Sequence, residues 1–327
     1  MEDLKCRICN NTKKNKIFKI KEMMLGFREE FLYFQCSKCD CLQIYNYPNN
    51  IQKYYPSNYY SFSPKNFIIP SNPLKRIMKY LLYKCLLKKI SIFSKFLFYF
   101  NQKIPDQFLK DISLLTLRKN MNILDVGCGR GLNLFYLKNI GFKNLFGIDP
   151  FIEDDIIYNN GLKIEKKSFY EVDRKMDLII FHHTLEHMPD PIKVFHHISN
   201  LLKRDGICLV SIPIIPSFAW DNYKEDWVQI DAPRHFFIFS IKSLKILAQN
   251  SDLILDFLLY NSNYFQFWGS EQYRHGISLI SNNSYSINPS KSIFKSKEIK
   301  IFKKESKVLN HKHRGDQVTI FFKKKKS

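Results

Sequence analysis

An apolar run that ends in an acid and passes straight into three alternating glycines constrains this chain more than any other feature. It reads ILDVGCGRG, residues 123–131. Glycines at 127, 129 and 131 let a backbone turn sharply and come close to a ligand. Beyond residue 131, helix and strand signals alternate. Residues 132–140 read as a helix ended by Gly141, 145–148 as a strand closing at Asp149, 162–164 as a third strand and 177–181 as a fourth. Asp190 then reads as the N-cap of a helix with Pro191 in its first turn. Val194, Ile198 and Leu201 form its apolar face, and Gly206 lies just past its end. Residues 207–213 give a fifth strand. Ser240 caps a further helix to Gln249, 253–259 is a sixth strand and 317–322 a seventh. Strands spaced by helices predict an α/β fold: a doubly wound, mostly parallel, seven-stranded Rossmann-like sheet with helices on both faces. Residues 262–314 are too long for a hairpin loop and read as an insertion.

At 327 residues and 45% hydrophobic, the chain can bury one large core and a small one. Its net charge of +21 suits a polyanionic partner or an anionic membrane surface, but the abundance of lysine, isoleucine, asparagine and phenylalanine throughout favours a compositional bias. The polar opening MEDLKCRICNN is no signal peptide. No apolar run reaches the roughly 20 residues of a spanning helix. These features predict a cytoplasmic protein. The basic, bulky segment 75–118 reads as a covering helical layer, or as a peripheral contact with the inner membrane face. Five of eight cysteines crowd the N-terminus. In a reducing compartment they read as metal ligands before disulfides. Cys6-x-x-Cys9 and Cys36-x-x-Cys39 supply four thiolates for a closed, structural zinc, with Cys41 as an alternative to Cys39. Cys85, Cys128 and Cys208 read as small buried residues. The expected organisation is a zinc-binding domain at 1–63, linker and covering helices at 64–118, and the α/β domain at 119–327.

In a doubly wound sheet, ligands sit beyond the carboxyl ends of the strands. Asp149, at such an end, can take both hydroxyls of a ribose. A dinucleotide site would want G-x-G-x-x-G for its pyrophosphate. Here the pattern is G-x-G-x-G, and Asp125 before it would repel a pyrophosphate but suit an amine and a sulfonium. ILDVGCGRG, GIDP, DLIIFHHTLEHMPDP and LLKRDGICLVSIP together resemble the successive motifs of class I S-adenosylmethionine-dependent methyltransferases. The resemblance implies that Asp125 and the backbone of Gly127, Cys128 and Gly129 hold the methionine part. It implies that Asp149 holds the ribose, with Pro150 or Phe151 flanking the adenine. Ser168 and Phe169 fall at the adenine edge, where the family often has an acid, and His182 falls near the sulfonium. A zinc ribbon ahead of such a domain resembles bacterial sugar and surface-polysaccharide methyltransferases. That implies a nucleotide-sugar or lipid-linked glycan as acceptor, with O-methylation ahead of C-methylation.

Methyl transfer to a hydroxyl needs alignment and a base, and histidine is the common one. His182, His183, Glu186, His187 and His235 are the candidates. His235 matches the base of the sugar C-methyltransferases, although Arg234 replaces the preceding glutamate, which fits an anionic or hydroxyl-bearing acceptor. Asp231 is expected to orient His235, with His183 as a second catalytic candidate. Glu186 and His187 rank behind them as supports for the next helix. Trp220, Tyr223 and Trp227 read as an aromatic lid or sugar-stacking face, or as plain cover, and Glu271, Tyr273 and Arg274 as weaker acceptor contacts. Two other functions stay open: an RNA methyltransferase using the basic surface and zinc module, and a non-catalytic zinc-bearing adaptor.

Overall fold

The computed structural model describes residues 4–56 and 107–325. The linker at 64–74, Cys85 and most of the layer expected over 75–118 lie outside the described residues. Of that layer, helix α1 (Gln107–Ser113) is seen, with Phe108, Leu109 and Ile112 buried. The chain packs as two compact units. A glycine-loop unit comprises Pro56–His182 and Asn200–Leu209. A cysteine unit comprises Met1–Tyr55, His183–Ser199 and Val210–Ser327. Among the described residues, no helix is long and apolar enough to cross a membrane.

The cysteine unit opens with an antiparallel meander of β1 (Lys16–Lys21), β2 (Glu30–Gln35) and β3 (Leu42–Ile44). The glycine-loop unit supplies β4 (Asn122–Val126), β5 (Asn144–Ile148), β6 (Ile156–Ile157), β7 (Lys163–Glu165) and β8 (Met176–His182). Their order is β8-β4-β5-β7-β6, parallel except for the short edge strand β6. β8, MDLIIFH, is almost wholly buried. Such an unbroken apolar run is what a parallel strand covered on both faces requires. Helix α2 (Leu132–Asn139) succeeds the glycine loop and buries Leu134 and Leu137.

Helix α3 (Pro191–Leu201) starts where the sequence indicates, with Lys193 N–H donating to the Asp190 carboxylate at 3.0 Å. It then runs directly into β9 (Leu202–Ile215). Gly206 therefore lies inside a strand and does not terminate the helix as expected. A Cβ there would stand 3.0 Å from the Met176 carbonyl oxygen, so the glycine serves a close backbone approach. β9 belongs to the glycine-loop unit up to Leu209 and to the cysteine unit from Val210.

Within the cysteine unit, β9 lies between β10 (Phe237–Ser240) and β12 (Gln317–Lys324), and β12 pairs antiparallel with β11 (Leu253–Tyr260). Helix α4 (Phe218–Tyr223) lies between β9 and β10 in the chain. Helix α5 (Ile241–Gln249) is capped by Ser240, whose hydroxyl accepts from Ser243 N–H at 2.9 Å, and it buries Leu244, Leu247 and Ala248. All seven expected strands are present, and the α/β class holds. The sequence missed β10 and with it the place of the cysteine residues. β3 pairs antiparallel with β10, Leu42 opposite Ile238 and Gln43 opposite Phe237. The N-terminal residues are thus built into the same sheet as the C-terminal half and do not form a separate appendage.

The insertion is largely helical. α6 (Phe265–Arg274) and α7 (Ser296–His311) fill much of it. α6 packs on the turn at 228–230: Ser270 Oγ accepts from Val228 N–H at 3.1 Å, and a Cβ on Gly269 would meet Val228 at 2.8 Å.

Candidate functional site

In the glycine-loop unit, β4 and β5 end side by side, Asp125 opposite Gly147 and Val126 opposite Ile148. Beyond them the chain turns through Gly127, Gly129 and Gly131, at φ of 65°, 55° and 72°. These are left-handed values that a glycine takes without strain. Gly131 has a second constraint: its Cβ would sit 2.3 Å from Ile164. Asp149 holds the loop closed. One carboxylate oxygen accepts from Gly129 N–H at 2.8 Å and the other from Phe151 N–H at 2.9 Å. Asp125 and Asp149 are both buried. Burial, then the charge of Asp149, pushes the Asp125 carboxyl up to about 8. Burial also raises Asp149, and its two N–H donors pull it back. Two buried carboxyls with so little cationic company make a site that favours a positively charged ligand.

Most other residues expected at this site have local partners of their own. The Cys128 sulfur contacts the Gly129 carbonyl. Pro150 and Phe151 are exposed, the Phe151 ring 46% so. Ser168 caps the 3₁₀ turn Phe169–Glu171: Tyr170 N–H donates to its hydroxyl, and its own N–H donates to Glu171 at 2.7 Å. Phe169 is buried edge-on against Phe181, ring centroids 5.2 Å apart. His182 closes β8 with its ring edge-on to Phe108.

In the cysteine unit a second cluster forms around Glu186, in the 3₁₀ turn Leu185–His187. His183 Nδ1 stands 3.4 Å and His235 Nε2 3.9 Å from one Glu186 oxygen. The His187 and His235 rings meet edge to face at 4.6 Å. Burial would raise the Glu186 carboxyl, but contact with His183 and the charge that the imidazoles carry when protonated bring it down to about 2. Burial, then His187, lowers His235 to about 4, so its ring is neutral near pH 7. The backbone binds the cluster together. Phe236 N–H donates to the Glu186 carbonyl at 2.8 Å, and the Tyr33 hydroxyl to the His235 carbonyl at 2.9 Å. A strand of the cysteine-bearing meander thereby positions His235.

Two expectations change here, and a third narrows. Asp231 does not orient His235. Its Oδ2 lies 3.9 Å from Nε2, and both its oxygens accept from Arg234, at 2.9 and 2.6 Å. The Gln229 carbonyl fixes the ring instead, 2.8 Å from Nδ1. Arg234 is wholly buried between Asp231 and Glu22, so its charge is spent inside the fold rather than on an acceptor. Of the two readings of Trp220, Tyr223 and Trp227, plain cover holds and a stacking face does not: all three are buried, Trp227 donating to Asp316 at 3.0 Å. Tyr273 is likewise buried, while Arg274 lies over the Tyr223 ring and also contacts Glu271. Glu22 and Gln229 were not anticipated. Glu22 carries no local signature, and Gln229 contributes only a carbonyl.

The four sulfurs of Cys6, Cys9, Cys36 and Cys39 lie within 4.8 Å of one another. Cys6 and Cys39 are 3.6 Å apart, Cys9 and Cys36 3.5 Å. Four thiolates at 2.3 Å from one tetrahedral ion would be about 3.8 Å apart, so the set fits a zinc. Ile8 N–H and the Gln43 amide donate to the Cys6 sulfur, as suits a thiolate. Cys41 points elsewhere, toward its neighbour's carbonyl at 3.6 Å.

The family described as methyltransferase domain matches residues 93–256, half of the chain. Over 136 residues the chain is 29% identical to a ribosomal protein L11 methyltransferase of Thermosipho africanus, covering 38% of this chain and 50% of that protein. Over 110 residues it is 32% identical to a tRNA U34 carboxymethyltransferase of Nautilia profundicola, covering 30% and 36%. The chain thus spans half or less of the length of these two curated relatives. A solved cyclopropane synthase from Mycobacterium tuberculosis matches with a TM-score of 0.44 and 14% identity, over 67% of this chain and 85% of that one. With the family matched over half its length, the chain belongs to the methyltransferase-domain family.

Proposed function

We propose that this chain is an S-adenosylmethionine-dependent methyltransferase that acts on a sugar hydroxyl, carried as a nucleotide-sugar or a lipid-linked glycan for surface polysaccharide. The observation that carries the cofactor assignment is the pair of buried carboxyls, Asp125 and Asp149, under a left-handed glycine loop. When bound, S-adenosylmethionine supplies an electrophilic methyl group on a sulfonium. Asp125 and the backbone of Gly127, Cys128 and Gly129 hold the methionine end. Asp149 keeps free lone pairs for the ribose hydroxyls, because each oxygen accepts only one protein hydrogen bond among those described. Pro150 and the exposed Phe151 ring flank the adenine. Ser168, Phe169 and His182 complete the wall.

His235 supports the choice of a hydroxyl acceptor. Its Nδ1 faces a carbonyl, so Nε2 bears the lone pair that takes a proton. His183, on the residue after β8, is the second group in reach of Glu186. The four thiolates hold a structural zinc that ties the meander carrying Tyr33. The sugar reading draws only on the sequence resemblance, with paired cysteines ahead of the methyltransferase motifs. The names of the curated relatives make RNA and protein the acceptors to screen beside it.

Calorimetric titration with S-adenosylmethionine, wild type beside Asp149→Ala, tests the cofactor reading. The expected result is binding that the substitution abolishes. A folded, zinc-bearing wild type with no affinity for the cofactor would overturn it. Transfer of labelled methyl to nucleotide-sugars, and none to RNA, is the expected outcome of the acceptor screen.

A further inference from the structure

We propose that Glu186, His187 and His235 form a binding site for one divalent metal cation, distinct from the thiolates. The ligand atoms of the three side chains lie within 4.8 Å of one another. A small closing movement brings them to the roughly 2.0–2.2 Å bonds that nitrogen and oxygen ligands make.

The hydrogen bonds around the cluster argue for a cation. His235 Nδ1 lies 2.8 Å from the Gln229 carbonyl, and His187 Nδ1 2.9 Å from the Arg234 carbonyl. The Tyr55 hydroxyl oxygen, 3.0 Å from His187 Nδ1, shares that proton as a second acceptor. A carbonyl can only accept, so both rings donate through Nδ1, which leaves Nε2 as the nitrogen for a cation. Glu186 adds two buried carboxylate oxygens, one of them 3.4 Å from His183 Nδ1 and 3.9 Å from His235 Nε2. One ligand atom from each of the three residues thus lies beside a wholly buried carboxylate, and a cation held among them offsets the cost of burying that charge. An imidazole held by a carbonyl at one nitrogen is also how proteins orient a metal-ligating histidine.

Charge points the same way. The carboxylates here are Glu22, Asp231 and Glu186, against the single guanidinium of Arg234. Carboxylates outnumber the guanidinium here by two. A dication closes that balance.

Two imidazoles and one carboxylate suit a zinc- or manganese-class ion, and three protein ligands leave a position open. On the methyltransferase reading, on which this role rests, the open position takes the acceptor's hydroxyl oxygen. This role is an alternative to the base role of His235, whose single Nε2 lone pair cannot both bind a cation and take a proton.

The test is equilibrium dialysis of the full chain against Zn²⁺ and, separately, against Mn²⁺, with bound metal counted by elemental analysis. The wild type is expected to hold two zinc equivalents, or one manganese beside the thiolate zinc. Glu186→Gln and His235→Gln are expected to hold only the thiolate zinc. His187→Gln replaces either variant if that one loses its thiolate zinc, which marks misfolding. A wild type that holds no more than the thiolate equivalent with both cations overturns the site. So does an extra equivalent that survives in the variants. Titration of the same samples with S-adenosylmethionine separates the two readings. Metal bound without cofactor sinks the methyltransferase reading alone, and cofactor bound without the extra metal sinks this site alone.

Discussion

The glycine loop and the histidine cluster both bury acceptors in excess of donors, and they manage the excess differently. At the loop, the chain supplies its own donors. Gly129 and Phe151 N–H groups satisfy Asp149 from nearby in the chain or the adjoining strand end, and Asp125 can keep a proton to about pH 8. At the cluster, nearby backbone groups make matters worse. Carbonyls of Gln229 and Arg234 each take an imidazole N–H and offer Glu186 no donor. The strong compensation is Arg234, and it is held by Glu22, which lies far away in the chain. A self-sufficient motif should tolerate distant change. An assembled one should depend on partners that no local pattern announces.

The largest effect that separates the two comes from removing that compensation. Arg234→Met leaves the buried Glu22, and Asp231 beside it, without their cation. Breaking a buried pair in this way costs about 3–5 kcal/mol. Urea denaturation should show a loss of that order. A loss under about 1 kcal/mol would mean that the cluster is as self-sufficient as the loop, and the contrast would fall.

The loop answers to pH instead. Burial and the charge of Asp149 hold the Asp125 carboxyl at about 8, above its ordinary value of 3.8. A cationic ligand pairs with the ionised form, so below pH 8 binding must first expel a proton. Affinity for S-adenosylmethionine should therefore rise as pH rises toward 8, by up to about tenfold per unit, and level off above it. The same shift acts on folding with the opposite sense, since stability contributed by the protonated carboxyl is lost as pH rises from about 4 to 8. Calorimetry in two buffers of different ionisation enthalpy reads the proton release directly. An affinity that does not change between pH 6 and 8 would remove Asp125 from the cofactor's cationic end.

Legibility in the sequence divides along the same line. The glycine loop, Asp149 and the capped helix α3 were read because each is a run of neighbouring residues with one physical job. The thiolate set was read from two C-x-x-C spacings, and only the choice between Cys39 and Cys41 needed coordinates. The orienting group of His235 was misassigned to Asp231, because a backbone carbonyl has no letter of its own. The aromatics of 220–227 read equally as lid or as cover, because composition does not reveal which face of a loop meets the core. Gly206 looked like a helix stop, since a glycine required by a strand neighbour's carbonyl has the same letter as one required by a left-handed turn. Glu22 was invisible for want of any pattern linking it to Arg234.

The smallest predicted effect probes the wall of the loop site. Ser168 sits at the adenine edge by resemblance, yet its hydroxyl is occupied as a cap, accepting from Tyr170 N–H, while Glu171 answers its own N–H. Ser168→Ala should cost about 1 kcal/mol of stability, the usual loss when a capping hydroxyl is removed. If capping is its whole task, cofactor affinity should stay within about twofold, because the turn's backbone is still held by Glu171. An affinity loss of tenfold or more, with stability little changed, would instead put the Ser168 hydroxyl on the ligand. The local donors of the glycine loop would then be shared with the cofactor, and the self-sufficiency that distinguishes it from the histidine cluster would be only partial.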